Sequence, residues 1–218
     1  MKKILTAGIL VSAVAGNAVA GSAYHQPTYQ VSITNITKGI SFTPFLAATH
    51  KNKLSFFELG EAPTEALAAI AEGGDIGPMQ TALENSKAVA DISTTAGLLG
   101  PGETVQFEID ANWGRNRLSF AAMLLPTNDS FVALNSVRLP RYRSVTYMAS
   151  AYDAGSETND EYCANIPGPT CGGIGISPES LGEGYVYMSP GIHGEGDLSS
   201  AAFDRRGDVA KVVIKRIK

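Results

Sequence analysis

The segment PTNDSFVALNSVRLPRYRSVTYMASAYDAG, residues 126–155, decides the fold. It contains two apolar runs rich in β-branched and aromatic residues, 131–137 and 145–151, which predict two β-strands. A polar turn with Asp129 precedes the first run, and a second turn with Asp153 follows the second run. Because loops from different strands can converge at one end of a β-sandwich, the two aspartates are candidates for one shared site.

Carboxylate oxygens are the ligands that Ca²⁺ prefers, so calcium is the cation that this pattern predicts. Further acids follow Asp153 within residues 157–161. An EF-hand is excluded, because a loop counted from Asp153 has Thr158 and Ala164 where that motif needs glycine and glutamate. From composition alone, a solvated acidic loop is the alternative interpretation.

Residues 1–20 have the organisation of a secretory signal peptide. Lys2 and Lys3 form a positive region, residues 4–15 are apolar, and Ala18-Val19-Ala20 is a small-residue cleavage pattern. The apolar run is shorter than the roughly 20 residues that a transmembrane helix needs, although an uncleaved anchor is the alternative. We therefore expect an exported protein, periplasmic or extracellular, with no transmembrane segment in the mature chain.

The remaining residues, 21–218, suit one large β domain that follows a flexible lead at 21–28. The formal net charge of the whole chain is −4, and two of its lysines lie in the signal peptide. Such a chain is a poor ligand for nucleic acid. An acidic surplus fits the binding of a divalent cation, although solubility is its commoner cause.

Short runs with strand periodicity recur along the chain, and residues 118–125 are apolar on both faces, which indicates a central strand covered on both sides. A short helical insertion is expected near residues 62–85. The class predicted is all-β, an antiparallel sandwich. The predicted strands outside the opening segment are 29–35, 40–47, 55–59, 89–92, 105–109, 118–125, 185–188 and 209–217.

The chain has two cysteines, Cys163 and Cys171, separated by a short loop. An even count in an exported protein predicts a disulfide bond between them. The alternative is a metal site built on two cysteines, but further ligands at suitable spacing are missing from the sequence.

The sequence has none of the usual catalytic motifs, such as G-x-S-x-G, HExxH, a P-loop or a dinucleotide fingerprint. His25, His50 and His193 are far apart, and we expect His50 to be a hydrogen-bonded structural residue. The stretch His193-Gly-Glu195-Gly-Asp197 alternates possible ligands, but we interpret it as a solvated loop. We therefore expect no enzymatic activity. A carbohydrate-acting enzyme with paired carboxylates is a less favoured alternative.

Three segments in order, PTNDSFVALNS, YDAG and the terminal VAKVVIKRI, resemble the spondin domain known from F-spondin and mindin. The segment FELGEAPTEALAAIAEGGD resembles bacterial versions of that domain. The resemblance extends over about residues 29–217, so residues 29–218 are expected to form one spondin-like domain. It implies a C2-like β-sandwich that has a calcium ion at one pole and acts in extracellular adhesion.

The resemblance also implies a set of metal ligands. The aspartate of the family's Pro-x-x-Asp-x-Phe turn falls on Asp129, and that of Tyr-Asp-Ala-Gly falls on Asp153. A third acidic ligand on the preceding strand falls on Asp110, with Glu108 or Glu103 as alternatives.

The function expected from the sequence is thus an exported calcium-binding adhesion or recognition module, whose partner is a cell-surface protein or glycan. The alternative is a peripheral lipid-binding module that works as C2 domains do, with Trp113 near the loop tips. Arg206-Gly207-Asp208 spells the integrin-binding tripeptide, but it leads into the last predicted strand, so we expect no binding role for it.

Overall fold

The computed structural model describes residues 26–176, 181–204 and 207–218. The predicted signal peptide and Arg206 lie outside the described residues. The helices are α1 (Glu65–Gly73), α2 (Gly77–Glu84) and α3 (Ser200–Phe203), with one 3-10 turn at Cys163–Asn165. The strands are β1 (Thr28–Asn35), β2 (Ser41–Phe42), β3 (Leu46–His50), β4 (Val89–Thr94), β5 (Thr104–Asp110), β6 (Arg117–Leu125), β7 (Ser130–Arg138), β8 (Ser144–Asp153), β9 (Tyr187–Met188) and β10 (Asp208–Arg216).

The strands form one antiparallel sheet in the order β4-β3-β6-β7-β8-β10-β1-β5, with β2 paired to β6 and β9 paired to β8. The sheet curls until its two edges meet. There the Asp110 backbone N–H of β5 donates to the Asp91 carboxylate of β4 at 2.8 Å. Thr49 of β3 also donates to the Asp110 carbonyl at 2.6 Å. The all-β antiparallel class is confirmed, in the form of a single, nearly closed sheet.

The interior of the curled sheet is filled by alternate side chains of its strands. Val31 and Ile33 of β1 and Phe120 of β6 lie in this cluster and are fully buried. The predicted inner face of the last strand is confirmed, since Val212 and Ile214 point into the same cluster. Period-two alternation in the sequence thus identifies the inward side of the sheet correctly.

The helical insertion packs against the outside of the sheet. Leu67 and Ile70 of α1 share an apolar cluster with Ala121 of β6 and Ala133 of β7. The Thr64 side chain caps α1 by accepting a hydrogen bond from the Leu67 backbone N–H. Strand β6 is therefore covered on both faces, as predicted. In the part of the chain that the structure describes, no helix has both the length and the apolar character needed to cross a membrane.

Two predicted strands differ from the structure. Residues 40–47 were expected to form one strand, but Pro44 lies between the separate strands β2 and β3. Residues 55–59 were expected to form a strand but are irregular, and Phe56 and Phe57 are both buried in the apolar cluster beneath the helices. The Asn135 side chain accepts from the Phe56 N–H at 3.0 Å and donates to the Phe57 carbonyl at 2.7 Å.

The predicted disulfide bond between Cys163 and Cys171 is confirmed. It lies in the long connection between β8 and β10, beside a small apolar cluster of Ile166, Ile192 and Leu198. Cross-linking a short loop restricts the unfolded chain and so favours the folded state. The disulfide and this cluster give an otherwise irregular segment its own core.

Candidate functional site

The fold brings Asp129 and Asp153 together. Strands β7 and β8 pair so that Ser130 lies opposite Asp153. The Ala154 N–H then donates to the Asp129 carbonyl at 3.1 Å. Both aspartate side chains have 0% exposure. The β6–β7 turn and the end of β8 therefore meet at one end of the sheet, which we call the acidic end.

The Asp129 carboxylate is held by backbone groups on one side only. Its Oδ2 atom accepts from the Ser156 N–H at 2.7 Å and from the Glu157 N–H at 3.0 Å. Its Oδ1 atom is buried and has no hydrogen-bond partner among the described residues. Leaving such an oxygen unsatisfied is costly, so Oδ1 is the atom of this pair best suited to accept a cation or another partner.

The Asp153 carboxylate is oriented by its own turn. Its Oδ1 atom accepts from the Gly155 N–H at 3.0 Å, and Oδ2 accepts from the Asn159 side chain at 3.0 Å. Gly155 has φ +65°, and a Cβ atom there would lie 2.3 Å from the Tyr185 carbonyl oxygen. Only glycine fits this position, which explains why glycine closes the Tyr-Asp-Ala-Gly segment.

Burial and mutual repulsion change the acidity of the pair. Burial raises the pKa of Asp129, and the hydrogen bonds from the Glu157 and Ser156 backbone partly oppose this effect. Burial, followed by the negative charge of Asp129, raises the pKa of Asp153 to about 7. Two buried carboxylates this close repel each other when both are charged, so protonation of one of them or a bound cation would relieve the repulsion.

Two more buried glutamates lie near the pair. Glu157 is 1% exposed and follows the β8 turn. Glu72, in the last turn of α1, is also buried. Burial raises the pKa of Glu72, a hydrogen bond from Ser156 lowers it, and the charge of Asp129 raises it. Glu72 was not among the residues predicted for this site. Its position could have indicated a special role, because an acid near a helix C-terminus is electrostatically unfavourable.

Asp110 does not belong to this site. It ends β5, where it pairs with Thr28, and its carboxylate accepts from the Thr28 hydroxyl at 2.7 Å. Through β1 and β10, the end of β5 that carries Asp110 lies at the same end of the sheet as the start of β8. Asp153 is the last residue of this ten-residue strand and so lies at the other end. At about 3.3 Å per residue, roughly 30 Å of strand separates the two ends.

The alternative ligands Glu108 and Glu103 have other surroundings. Glu108 is exposed on β5 opposite Gln30, and the Glu103 carboxylate accepts from the Gly100 N–H at 2.8 Å. Across the described ranges, no group of three His, Cys, Asp or Glu side chains is arranged to hold a metal ion. A cation at Asp129 and Asp153 therefore requires hydroxyl, amide or carbonyl oxygens as further ligands.

The remaining polar candidates have structural roles. The Glu161 carboxylate accepts from the backbone N–H groups of His193, Gly194 and Glu195 at 2.6–3.0 Å. The stretch 193–197, predicted to be a solvated loop, is a loop with exposed His193, Glu195 and Asp197, and its backbone also forms a cradle for this buried glutamate. His50 contacts the Ser119 hydroxyl at 2.8 Å and is fully buried, which confirms its structural role.

A dependence of stability on pH follows from the raised pKa of Asp153. In the unfolded chain the pKa of an aspartate is about 3.9, against about 7 in the folded protein. The folded state therefore holds a proton that the unfolded chain releases, and the free energy of unfolding falls as the pH rises from about 4 to about 7.

In calcium-free buffer with chelator, we expect a lower urea midpoint at about pH 8 than at about pH 5. In the Asp153→Asn variant this difference should shrink, since the titrating group is gone. A wild-type midpoint that stays constant or rises over this range would contradict the prediction.

Comparison with known proteins gives one family match. The family model described as Spondin_N matches residues 23–166, which include both Asp129 and Asp153. A search of curated proteins gave no match.

Proposed function

Because this chain belongs to the spondin N-terminal domain family, whose members are recognition-type extracellular modules, we propose that it is an exported, calcium-binding recognition protein without catalytic activity. The observation that carries the calcium proposal is the buried Oδ1 atom of Asp129, which has no hydrogen-bond partner among the described residues and lies beside the equally buried Asp153. Two adjacent, fully buried carboxylates are stabilised by a counter-charge.

Asp129 and Asp153 would hold the ion. Ser130, whose hydroxyl lies 3.4 Å from the Asp153 carboxylate, provides a neutral oxygen nearby. Calcium accepts such mixed oxygen ligands. The ion would supply positive charge beside the two carboxylates, and it would join the β6–β7 turn to the end of β8.

The exposed surface beside the ion site suits a recognition role. The rings of Tyr185 and Tyr187 lie 5.5 Å apart. Tyr185 is 45% exposed, and the Tyr187 hydroxyl accepts from Asn159, which also binds Asp153. Partly exposed tyrosines on an ordered loop are typical contacts for a protein or glycan partner. We therefore propose a cell-surface protein or glycan as the partner.

The burial of the aspartates supports a non-catalytic role. In a glycosidase the two carboxyl groups face each other across an open cleft, with the substrate between them. Asp129 and Asp153 are fully buried, which leaves a substrate no access to either group.

The calcium proposal is tested by isothermal titration of CaCl₂ into protein stripped with chelator. We expect one site per chain, with binding lost in Asp129→Asn. The control is Asp197→Asn, because Asp197 is an exposed aspartate that accepts one backbone hydrogen bond from Cys163 and lies outside the pair. If wild-type protein shows no heat of binding at millimolar calcium, or if Asp129→Asn binds as the wild type does, the proposal is wrong.

A further inference from the structure

The end of the sheet opposite Asp129 and Asp153 is strongly basic, and we call it the basic end. Lys51 and Lys53 follow β3, and Lys87 precedes β4. Arg115 lies in the β5–β6 turn, and Arg117 begins β6 opposite His50 and Arg138. These residues come from three separate segments, and the strand register brings the segments to one place.

Two more segments add to the same end. The end of β7 and the β7–β8 loop contribute Arg138, Arg141 and Arg143. The end of β10 and the chain after it contribute Lys215, Arg216 and Lys218. Lys215 pairs with Ser144, and the Arg216 N–H donates to the Arg143 carbonyl at 3.1 Å. Eleven of the 17 lysines and arginines of the chain therefore lie at this end, although the formal net charge of the whole chain is −4.

Several of these arginines bind backbone carbonyls, which fixes the loops without neutralising the charge. Arg115 donates to the Lys87 carbonyl at 2.8 Å, and Arg216 donates to the Arg141 carbonyl at 3.0 Å. Four acids lie at or near this end. Asp91 accepts from the Asp110 N–H and Asp110 accepts from Thr28, whereas Glu84 and Glu108 are exposed, so the eleven basic residues outnumber the acids. The basic loops are thus held in place and keep a positive field.

Two aromatic side chains extend from the basic end into solvent. Trp113 at the tip of the β5–β6 turn is 90% exposed, and Tyr142 in the β7–β8 loop is 81% exposed. The two loops are joined by a hydrogen bond from the Leu139 N–H to the Asn116 carbonyl at 2.9 Å. Tryptophan and tyrosine among lysines and arginines are the composition that favours a membrane–water interface.

We propose that the basic end is a calcium-independent docking surface for a membrane that contains anionic phospholipid. The lysines and arginines of five segments lie at one end of the sheet, so this end is complementary in charge to an anionic membrane surface. The two exposed rings can enter the headgroup layer. Docking here would leave the acidic end facing away from the membrane. This differs from the C2-like alternative, in which lipid binding depends on calcium, because the structure puts Trp113 and the Asp129–Asp153 pair at opposite ends.

The test is co-sedimentation of the purified protein with two kinds of vesicle, phosphatidylcholine alone and phosphatidylcholine with about one third phosphatidylglycerol, in excess chelator. We expect binding to the anionic vesicles only, with a loss at high salt. The variants Arg141→Glu/Arg143→Glu and Trp113→Ala/Tyr142→Ala each change exposed side chains and should weaken binding about tenfold. All variants share the apolar residues 4–15, so that stretch cannot account for a difference between them.

The matched control is Lys38→Glu/Lys211→Glu, which makes the same charge change outside the basic end. It should bind the anionic vesicles as the wild type does. The proposal is overturned if the wild type binds neither vesicle, if it binds only when calcium is added, or if the Arg141→Glu/Arg143→Glu protein binds normally. Capture by a sulfated glycan without vesicle binding would also overturn it.

Discussion

Replacing Asp129 with asparagine is expected to destabilise the protein in calcium and to stabilise it in chelator. The asparagine oxygen can take the place of Oδ2 and keep the bonds from the Ser156 and Glu157 N–H groups. Its NH₂ group then takes the place of the unsatisfied Oδ1, where a donor suits the neighbouring Asp153 better than a second carboxylate does. Without calcium, the variant removes a buried repulsion, and with calcium it removes a ligand.

The expected size follows from linkage. At a calcium concentration about 100 times the dissociation constant, binding stabilises the folded wild type by about 2.7 kcal/mol, and the variant loses this contribution. The measurement is urea denaturation at about pH 8 in calcium and in chelator. Asp197→Asn, at an exposed position outside the pair, should behave as the wild type does in both buffers. An equal loss of stability for Asp129→Asn in both buffers would show that the carboxylate is structural and does not bind a cation.

Phe131→Ala is expected to lower the free energy of unfolding by about 3–5 kcal/mol, with or without calcium. Phe131 is fully buried on β7 beneath the helical layer. Its ring lies 5.2 Å from that of Phe57 in an edge-on arrangement and 5.6 Å from that of Tyr152 in a stacked one. Alanine leaves a cavity and removes both aromatic contacts, of which the one with Phe57 joins the irregular segment to the sheet.

The matched control is Phe131→Leu, which fills most of the volume and should cost only about 1 kcal/mol. Chemical denaturation of the three proteins measures both values. If Phe131→Ala is no less stable than Phe131→Leu, the outer layer is not tightly packed around this ring, and the helical insertion contributes less to the fold than its burial indicates.

Local pattern predicted the elements that obey a simple period. Residues 118–125 are apolar on both faces, and β6 is indeed covered on both sides by the interior cluster and by α1. The prediction was wrong at residues 55–59, where apolar composition favoured a strand. There, Asn135, about eighty positions later, provides the hydrogen bonds that a neighbouring strand would have provided. A local pattern contains no information about such a distant partner.

A local pattern also predicted some residues of the candidate site and not others. Asp129 and Asp153 flank two strands that follow each other, so their convergence could be predicted from one hairpin. Asp110 was assigned by a count along the chain, but β5 pairs with β1, and its end lies at the opposite side of the sheet. Glu72 lies near the site on α1, and the sequence predicted this helix without indicating which part of the sheet it packs against.

By itself, the sequence determined the alternation of strands, the helical insertion, the cysteine pair and the two aspartate turns, because each depends on residues close together along the chain. Only the tertiary structure decided that the sheet curls until β4 meets β5, and that Asp129 is left with an unsatisfied buried oxygen. It also decided that the lysines and arginines of five segments gather at the other end. These features arise from strand pairing between distant segments, and burial and electrostatic field are set by whichever groups that pairing brings together.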